Sequence, residues 1–415
     1  MGGLESHILT LCEHVDRDRI NMMIACPPPE KYREVFYRRA ADLGVSIHHL
    51  PTGERDKLSY LRRSLALLRI FRHERVDIVH IHACGFTGLN VFIAALLARV
   101  PGIVVTHHSW FGPQPHNRAG YLSRWFERRM ATRAIAVYSR QATELAMAGV
   151  PVERIRTVPN AVDLSRFSYT QDAQHVQSGN SHGEDKGRGQ GTAWPAPDPT
   201  APTDPQAQVF RLAMVSRLVP NKGHIELIDV VHRLVGRYPY LRLLIVGDGP
   251  TRPEIEAHIQ ALGLEGVVEM TGAVPNDQVP GLLRKSHAIV LPTHVPGETF
   301  GIVLIEGMAM GLPAITTRIG GLPDVVAEGE TGYVVEPRDT GGLEAAVEKL
   351  VSDPTRAAQM GRMGVDRVRQ LFSAEAMGRA LTTIYLETAS ETGRWPAHLT
   401  GNPNPMLTTG TGSRS

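Results

Sequence analysis

Cysteine is scarce. The three cysteines in 415 residues (Cys12, Cys26 and Cys84) include no CxxC pair. That excludes a disulfide scaffold and a zinc ribbon, and it fits a reducing compartment. Long hydrophobic runs are also lacking. The most apolar window, residues 88–105, contains Asn90, Arg99, Pro101 and Gly102, so it reads as helix, turn and strand and not as a bilayer span. The opening Met1-Gly2-Gly3-Leu4-Glu5 has neither the basic start nor the apolar run of a signal peptide. Together these absences predict a cytoplasmic protein. One stretch lacks almost everything that builds a core: residues 170–208 hold no Ile, Leu, Phe, Tyr or Met, and place Gly179 to Gly191 ahead of Pro195 to Pro205. Such a segment buries too little apolar surface to offset chain entropy, and 169–208 is expected to be a disordered insertion or linker. The tail, 394–415, is Pro/Gly/Thr-rich and is expected to be flexible.

What is present is ordinary globular composition, with 42% hydrophobic and 21% charged residues, in a chain long enough for two or three domains. The net charge of +2 conceals an asymmetry. Residues 1–168 carry 23 Lys and Arg against 15 Asp and Glu, whereas the remainder carries 21 against 27. A basic half is compatible with an anionic partner or with surface scatter. No nucleic-acid partner is expected.

Short β-branched runs alternate with helical patterns throughout, the signature of βαβ units and parallel sheets. The candidate strands of the first half are 20–25, 45–50, 77–82, 103–107, 134–138 and 156–158; those of the second are 210–215, 242–246, 267–271, 288–291, 314–317 and 332–335. Between them lie amphipathic helices, one with the apolar stripe Leu58, Leu61, Leu65 and Leu68. The fold class is therefore α/β, two Rossmann-like doubly wound domains facing a cleft, spanning 1–168 and 209–393. In such folds ligands bind at the carboxyl ends of the strands. This architecture alone selects no activity.

Three strand-to-helix junctions carry the chemistry. Pro296-Gly297-Glu298-Thr299-Phe300-Gly301-Ile302 opens a helix that contains Glu306; its unpaired N–H groups and positive dipole suit a phosphate, and its carboxylates suit hydroxyl groups. Ser216-Arg217 through Lys222-Gly223 offers a guanidinium fork and a point charge for a diphosphate. Thr106-His107-His108 ends a first-half strand and faces the cleft from the opposite side. The plainer alternatives are solvated helix charges, a solvated cationic loop and a core-satisfied imidazole. Gly247-Asp248-Gly249-Pro250 departs from the dinucleotide fingerprint at Pro250. The adjacent pairs His48-His49 and His107-His108 lack metal-ligand spacing, so no metal site is expected.

Further motifs occur in order: Gly2-Gly3-Leu4-Glu5-Ser6-His7, Val158-Pro159-Asn160-Ala161-Val162-Asp163, Gly311-Leu312-Pro313-Ala314 and Gly320-Gly321-Leu322-Pro323-Asp324. With the junctions above, they resemble the retaining glycosyltransferases of family 4, which have the GT-B architecture; Ala161 stands where that family usually has glycine. The resemblance covers most of the chain outside 170–208 and the tail. It implies a hexosyltransferase that uses a UDP- or GDP-sugar donor and no cofactor or metal. In that picture Glu298 holds donor-sugar hydroxyls, Glu306 the ribose, and Arg217 and Lys222 the diphosphate. His108 contacts the sugar from the first domain. Backbone groups of Gly2, Gly3, Phe300, Gly301 and Ile302 assist, and the base lies against the turn ending at Val274. The first domain chooses the acceptor, a glycan, a lipid-linked sugar or a small molecule, as in polysaccharide or cell-envelope synthesis.

The family normally opens with a strand leading into the glycine loop, whereas this sequence starts at the loop. The expectation is a first sheet short of a central member, and a weakened enzyme. The runner-up readings are a noncatalytic nucleotide-sugar-binding module and a nucleotide-sugar epimerase of the same architecture. Finally, Arg118 to Arg133 sets arginines around Tyr121, Trp125 and Phe126. This pattern fits peripheral contact with an anionic membrane, or equally a core-facing Trp125 and Phe126 with solvated arginines.

Overall fold

Buried parallel strands draw on β-branched residues, because both faces are covered and the side chains must fill a pleated surface. A computed structural model describes residues 3–28, 34–52, 57–83, 88–108, 118–168, 209–294 and 300–393, and within these all the candidate runs are strands. The expected insertion and tail lie outside the described residues.

The first domain contains β1 (Met23–Cys26), β2 (Ser46–His49), β3 (Ile78–Ala83), β4 (Gly102–His107), β5 (Arg133–Ala136) and β6 (Ile155–Thr157). Its helices are α1 (Gly3–His14), α2 (Glu34–Asp42), α3 (Lys57–His73), α4 (Leu89–Ala98), α5 (Arg118–Met130) and α6 (Ser139–Met147). The strands form two separate parallel pieces, β1-β2 and β3-β4-β5-β6, and a cavity of about 720 Å³ lies between them. Alternate residues of β3 and β4 serve two apolar layers. Val79, Ile81, Ile103 and Val105 pack with Leu67 and Phe71 of α3, while Val104 packs with Leu9 and Leu11 of α1.

The second domain has one six-stranded parallel sheet in the order β12-β11-β10-β7-β8-β9. These strands are β7 (Phe210–Val215), β8 (Leu241–Val246), β9 (Val268–Gly272), β10 (Ala288–Leu291), β11 (Ala314–Thr317) and β12 (Gly332–Val335). Their helices are α7 (His224–Val235), α8 (Arg252–Ala261), α9 (Val279–Leu283), α10 (Ile302–Ala309), α11 (Leu322–Val325), α12 (Thr340–Ser352) and α13 (Pro354–Leu371). Strand order reverses between β7 and β10, so the crevice for a ligand opens there.

The last helix, α14 (Ala374–Glu391), follows the second domain in sequence yet packs on the first. Its Met377, Leu381, Ile384 and Tyr385 share a core with Leu9, Leu11 and Val15. Arg133 grips Glu391 through both guanidinium nitrogens. His80 sits between, with Nδ1 hydrogen-bonded to Tyr385 Oη at 2.5 Å and Nε2 to Thr106 Oγ1 at 2.7 Å.

The stripe on α3 runs contrary to a core-facing arrangement: Leu58, Leu61 and Leu65 are exposed. On α5 the alternatives divide. Phe126 packs into the core under α4, whereas Trp125 is 51% exposed beside exposed Tyr121 and Leu122. Of the helix's arginines, Arg124 is buried, and Arg128 and Arg129 are exposed.

Burial, with His7 and His108 nearby, lowers the His80 imidazole to about 3. The group is neutral in the fold and binds a proton near its usual value of about 6.5 when unfolded, so its contribution is present above that pH and lost as pH falls. Thermal unfolding between about pH 7 and about pH 5 is expected to show a falling midpoint, with a shallower fall in His80→Gln. Parallel pH profiles for the two proteins would refute this role for His80.

Candidate functional site

The carboxyl ends of both sheets meet. Ser139, at the start of α6 beyond β5, donates from its N–H to Asp324 Oδ2 at 2.6 Å and from its hydroxyl to Oδ1 at 2.9 Å. Asp324 lies in α11 beyond β11, and its backbone carbonyl accepts from Arg367 at 2.6 Å. Val137 and Tyr138 of the first domain are part of the second domain's core. The chain crosses back at Phe372–Ala374, where Val162 N–H donates to Phe372 O and Ala374 N–H donates to Val162 O.

At the switch point, the loop after β7 carries Arg217, exposed, and Lys222, half-buried, ahead of α7. Two glycines of the Gly247-Asp248-Gly249 run let this loop close. A Cβ on Gly247 would lie 1.9 Å from Ser216 O, and Gly247 also has φ 142°; a Cβ on Gly249 would lie 2.2 Å from Leu218 O. The run that failed as a dinucleotide fingerprint thus admits the cationic loop. The same loop is tied to the end of β10: Asn221 O accepts from Thr293 Oγ1 at 2.7 Å and from His294 N–H at 3.1 Å. Behind it, buried His224 meets Ser216 Oγ at 3.0 Å, and burial ahead of the Lys222 charge lowers its imidazole to about 4.

Glu298 lies outside the described residues, as does Gly2. Phe300 is buried against Phe372 at 5.6 Å, edge to face. Gly301 precedes α10 in the left-handed region, φ 70°, and a Cβ there would meet Leu322 Cδ2 at 2.6 Å. Leu304 N–H already bonds Gly301 O, so the first-turn donors that lack an intrahelical acceptor are those of Ile302 and Val303. Glu306, on the second turn of α10, is half-buried. Burial pushes its carboxyl up to about 7, against the pull of the Arg166 charge. Arg166 in turn donates to Asn276 O, beyond β9. Gly272 closes β9 with φ 74°, and Val274 rests partly buried on the second domain's core.

Opposite stands a group of imidazoles. Adjacent strand residues point to opposite faces, and His107 and His108 divide accordingly. His107 is buried on Glu127 Oε1 at 2.7 Å, whereas His108 Nε2 meets His82 Nδ1 at 2.9 Å. His7 of α1 approaches His108 with ring centroids 4.6 Å apart. Burial lowers His108 to about 4 and takes His7 and His82 well below the usual range, so all three are neutral. Their nitrogens lie within 4.8 Å of one another, a grouping that could hold a divalent ion. This corrects the expectation of no metal-type cluster. The adjacent His pairs do not form it; it assembles from three separate elements. Gly3 is the first residue of α1, which places its backbone at a helix start beside this group.

Two family models cover most of the chain: Glycosyltransferase Family 4 matches residues 1–166, and Glycosyl transferases group 1 matches residues 203–367. The GDP-mannose-dependent alpha-(1-6)-phosphatidylinositol monomannoside mannosyltransferase of Mycolicibacterium smegmatis is 32% identical over 288 residues, covering 66% of this chain and 74% of that protein. The chain belongs to glycosyltransferase family 4. The alpha-D-kanosaminyltransferase of Streptomyces kanamyceticus is 27% identical over 321 residues, 74% of this chain and 77% of its own. Among solved structures, Anabaena HepE in complex with UDP aligns with TM-score 0.73 at 20% identity, covering 94% of this chain and 96% of that one. The fold is GT-B, and the protein is a glycosyltransferase. Among the described residues no helix is long and apolar enough to cross a membrane.

A carboxylate accepts paired hydroxyl bonds only when ionised, and Glu306 ionises near neutrality. Calorimetric titration with UDP and GDP is expected to show affinity falling as pH drops from about 8 to about 6, with Glu306→Gln weak and flat across the range. An equally steep profile in Glu306→Gln would show that Glu306 does not govern nucleotide binding.

Proposed function

We propose that this glycosyltransferase moves a hexosyl group from a UDP- or GDP-sugar to a hydroxyl of a glycan, lipid-linked sugar or small molecule, with retention at the anomeric carbon. The observation that carries this reading is the switch point itself. The Arg217–Lys222 loop is bonded to the β10 end that leads towards Glu298 and Glu306, and the neutral imidazoles of the first domain belong to the facing carboxyl edge. A relative named for GDP-mannose and a structural neighbour holding UDP support both bases as candidates.

In this mechanism the diphosphate lies along the cationic loop, where Arg217 supplies a planar fork and Lys222 a point charge. The bond from the anomeric carbon to the phosphate oxygen breaks while the acceptor oxygen bonds to that carbon on the same face. The acceptor's proton passes to the departing phosphate oxygen, and the two cations stabilise the charge that develops there, the task a divalent ion performs in other transferases. Glu298 and His108 orient the sugar, Glu306 the ribose, and the first-turn amides of α10 add positive potential.

Arg217→Ala and Lys222→Ala are each expected to cut kcat/KM by roughly 10²- to 10³-fold with little change in folding, and turnover is expected to survive a chelator. A product of inverted configuration would overturn the mechanism. Donor binding without nucleotide release in the presence of a broad acceptor panel would favour the noncatalytic module, and recovery of an epimerised nucleotide sugar would favour the epimerase.

Exposed Tyr121, Leu122 and Trp125 beside Arg128 and Arg129, with exposed Leu58, Leu61 and Leu65 on α3, favour peripheral docking on an anionic membrane and hence a lipid-linked acceptor. Co-sedimentation with phosphatidylglycerol vesicles at low salt is expected, and is expected to weaken in Trp125→Ala and at high salt. Equal recovery with neutral vesicles would end this reading.

A further inference from the structure

Three imidazoles from separate elements converge at the carboxyl edge of the first sheet: His7 on α1, His82 on β3 and His108 just beyond β4. A zinc-class ion binds imidazole nitrogen at about 2.0–2.1 Å, which puts each ring centroid about 3.2 Å from the metal and neighbouring centroids of a tetrahedral set about 5.2 Å apart. The centroids here stand 4.6 Å apart for His7 and His108, 5.2 Å for His82 and His108, and 5.5 Å for His7 and His82. One nitrogen of each ring lies within 4.8 Å of the other two, and His82 Nδ1 and His108 Nε2 are 2.9 Å apart, against about 3.4 Å in such a shell. Modest ring rotation separates this arrangement from a closed shell. His7 adds an independent observation. It is only 6% exposed, yet neither of its ring nitrogens completes a hydrogen bond. A neutral imidazole has one donor and one acceptor, and burying both without partners is costly. The Asn160 side chain lies beside this ring, and its buried Oδ1 is likewise unbonded. Metal-bound histidine commonly donates its remaining ring N–H to an oxygen, which fixes the ring. An ion on one nitrogen of His7, with Asn160 Oδ1 accepting from the other, satisfies all of these orphaned atoms together.

We propose that His7, His82 and His108 are the ligands of one zinc-class divalent ion, with Asn160 orienting His7, and that the bound ion inhibits the enzyme by taking up the imidazole that meets the donor sugar. The inhibitory half rests on the His108 contact proposed above. Three imidazole nitrogens with no carboxylate among them select zinc and its transition-metal neighbours over magnesium and calcium, which favour oxygen. All three rings are already uncharged, the form in which imidazole ligates. His82 and His108 are half-buried and not sealed, and three protein ligands leave the fourth position of a tetrahedral ion for water. Such an ion opposes turnover. A ring nitrogen bonded to a metal has no lone pair left to accept from a sugar hydroxyl, and the diphosphate is already met by Arg217 and Lys222 across the crevice.

The test uses the full chain, stripped of metal with a chelator and titrated with cobalt(II), a coloured substitute for zinc. One ion per chain is expected, with the visible absorption of a four-coordinate imidazole site, and X-ray absorption of the zinc form is expected to count three imidazole ligands. Zinc affinity is expected to fall at least about a hundredfold in His7→Gln and about tenfold in Asn160→Ala. Loading with one equivalent of zinc is expected to weaken the tighter-binding of UDP-glucose and GDP-mannose roughly tenfold and to leave UDP and GDP unchanged. Zinc affinity unaltered in His7→Gln, or fewer than three imidazoles around the ion, overturns the site. Should His7→Gln fail to fold, the ligand count on the unaltered chain decides. Equal loss for sugar nucleotides and bare nucleotides overturns inhibition through His108. A His108→Ala protein that binds the sugar nucleotide as tightly as its parent refutes the sugar contact and with it the inhibitory half, while the cobalt spectrum judges the ion site on its own.

Discussion

The carboxyl edges of the two sheets are pressed together, and a few polar contacts fix that meeting. The Asp324 carboxylate accepts both bonds that Ser139 offers, while Arg367 holds the Asp324 backbone from behind. Around this clamp Tyr138 and Val137 are buried in the neighbouring domain's core. Apolar burial supplies the adhesion, and the directional bonds fix which loops face each other. The Arg217–Lys222 loop, the α10 start and the imidazole group inherit their positions from it.

Electrostatics at the site rests on unequal solvation. Arg217 is open to solvent, whereas Glu306 sits where losing water costs the charged form, and the His7, His82 and His108 rings are held neutral for the same reason. The second domain therefore offers exposed positive charge and an acid of near-neutral affinity for protons, and the first offers uncharged donors and acceptors.

Local pattern made much of this legible. The strands were readable because buried parallel strands leave dense β-branched runs such as Ile103-Val104-Val105 and Leu243-Leu244-Ile245. The loops at the carboxyl ends of the second domain's strands were readable as junctions because glycine and cations cluster there. Three features were not. The return of α14 to the first domain depends on which apolar surface is left uncovered, a fact its own amphipathic pattern does not contain. The imidazole group joins α1, β3 and β4 across distances that no spacing rule spans. Leu58, Leu61 and Leu65 repeat as core residues do, but the side of α3 they occupy faces outward, and periodicity carries no information about direction.

The paired bonds between Val162 and the Phe372–Ala374 segment have a mechanical meaning. The polypeptide leaves the first domain just beyond Val162 and re-enters it at Ser373, so both passages run side by side through one point. Sliding of one domain past the other would break both of these bonds at once, together with the burial of Val137 and Tyr138. Any opening of the crevice between the domains would also have to part the Ser139–Asp324 contact.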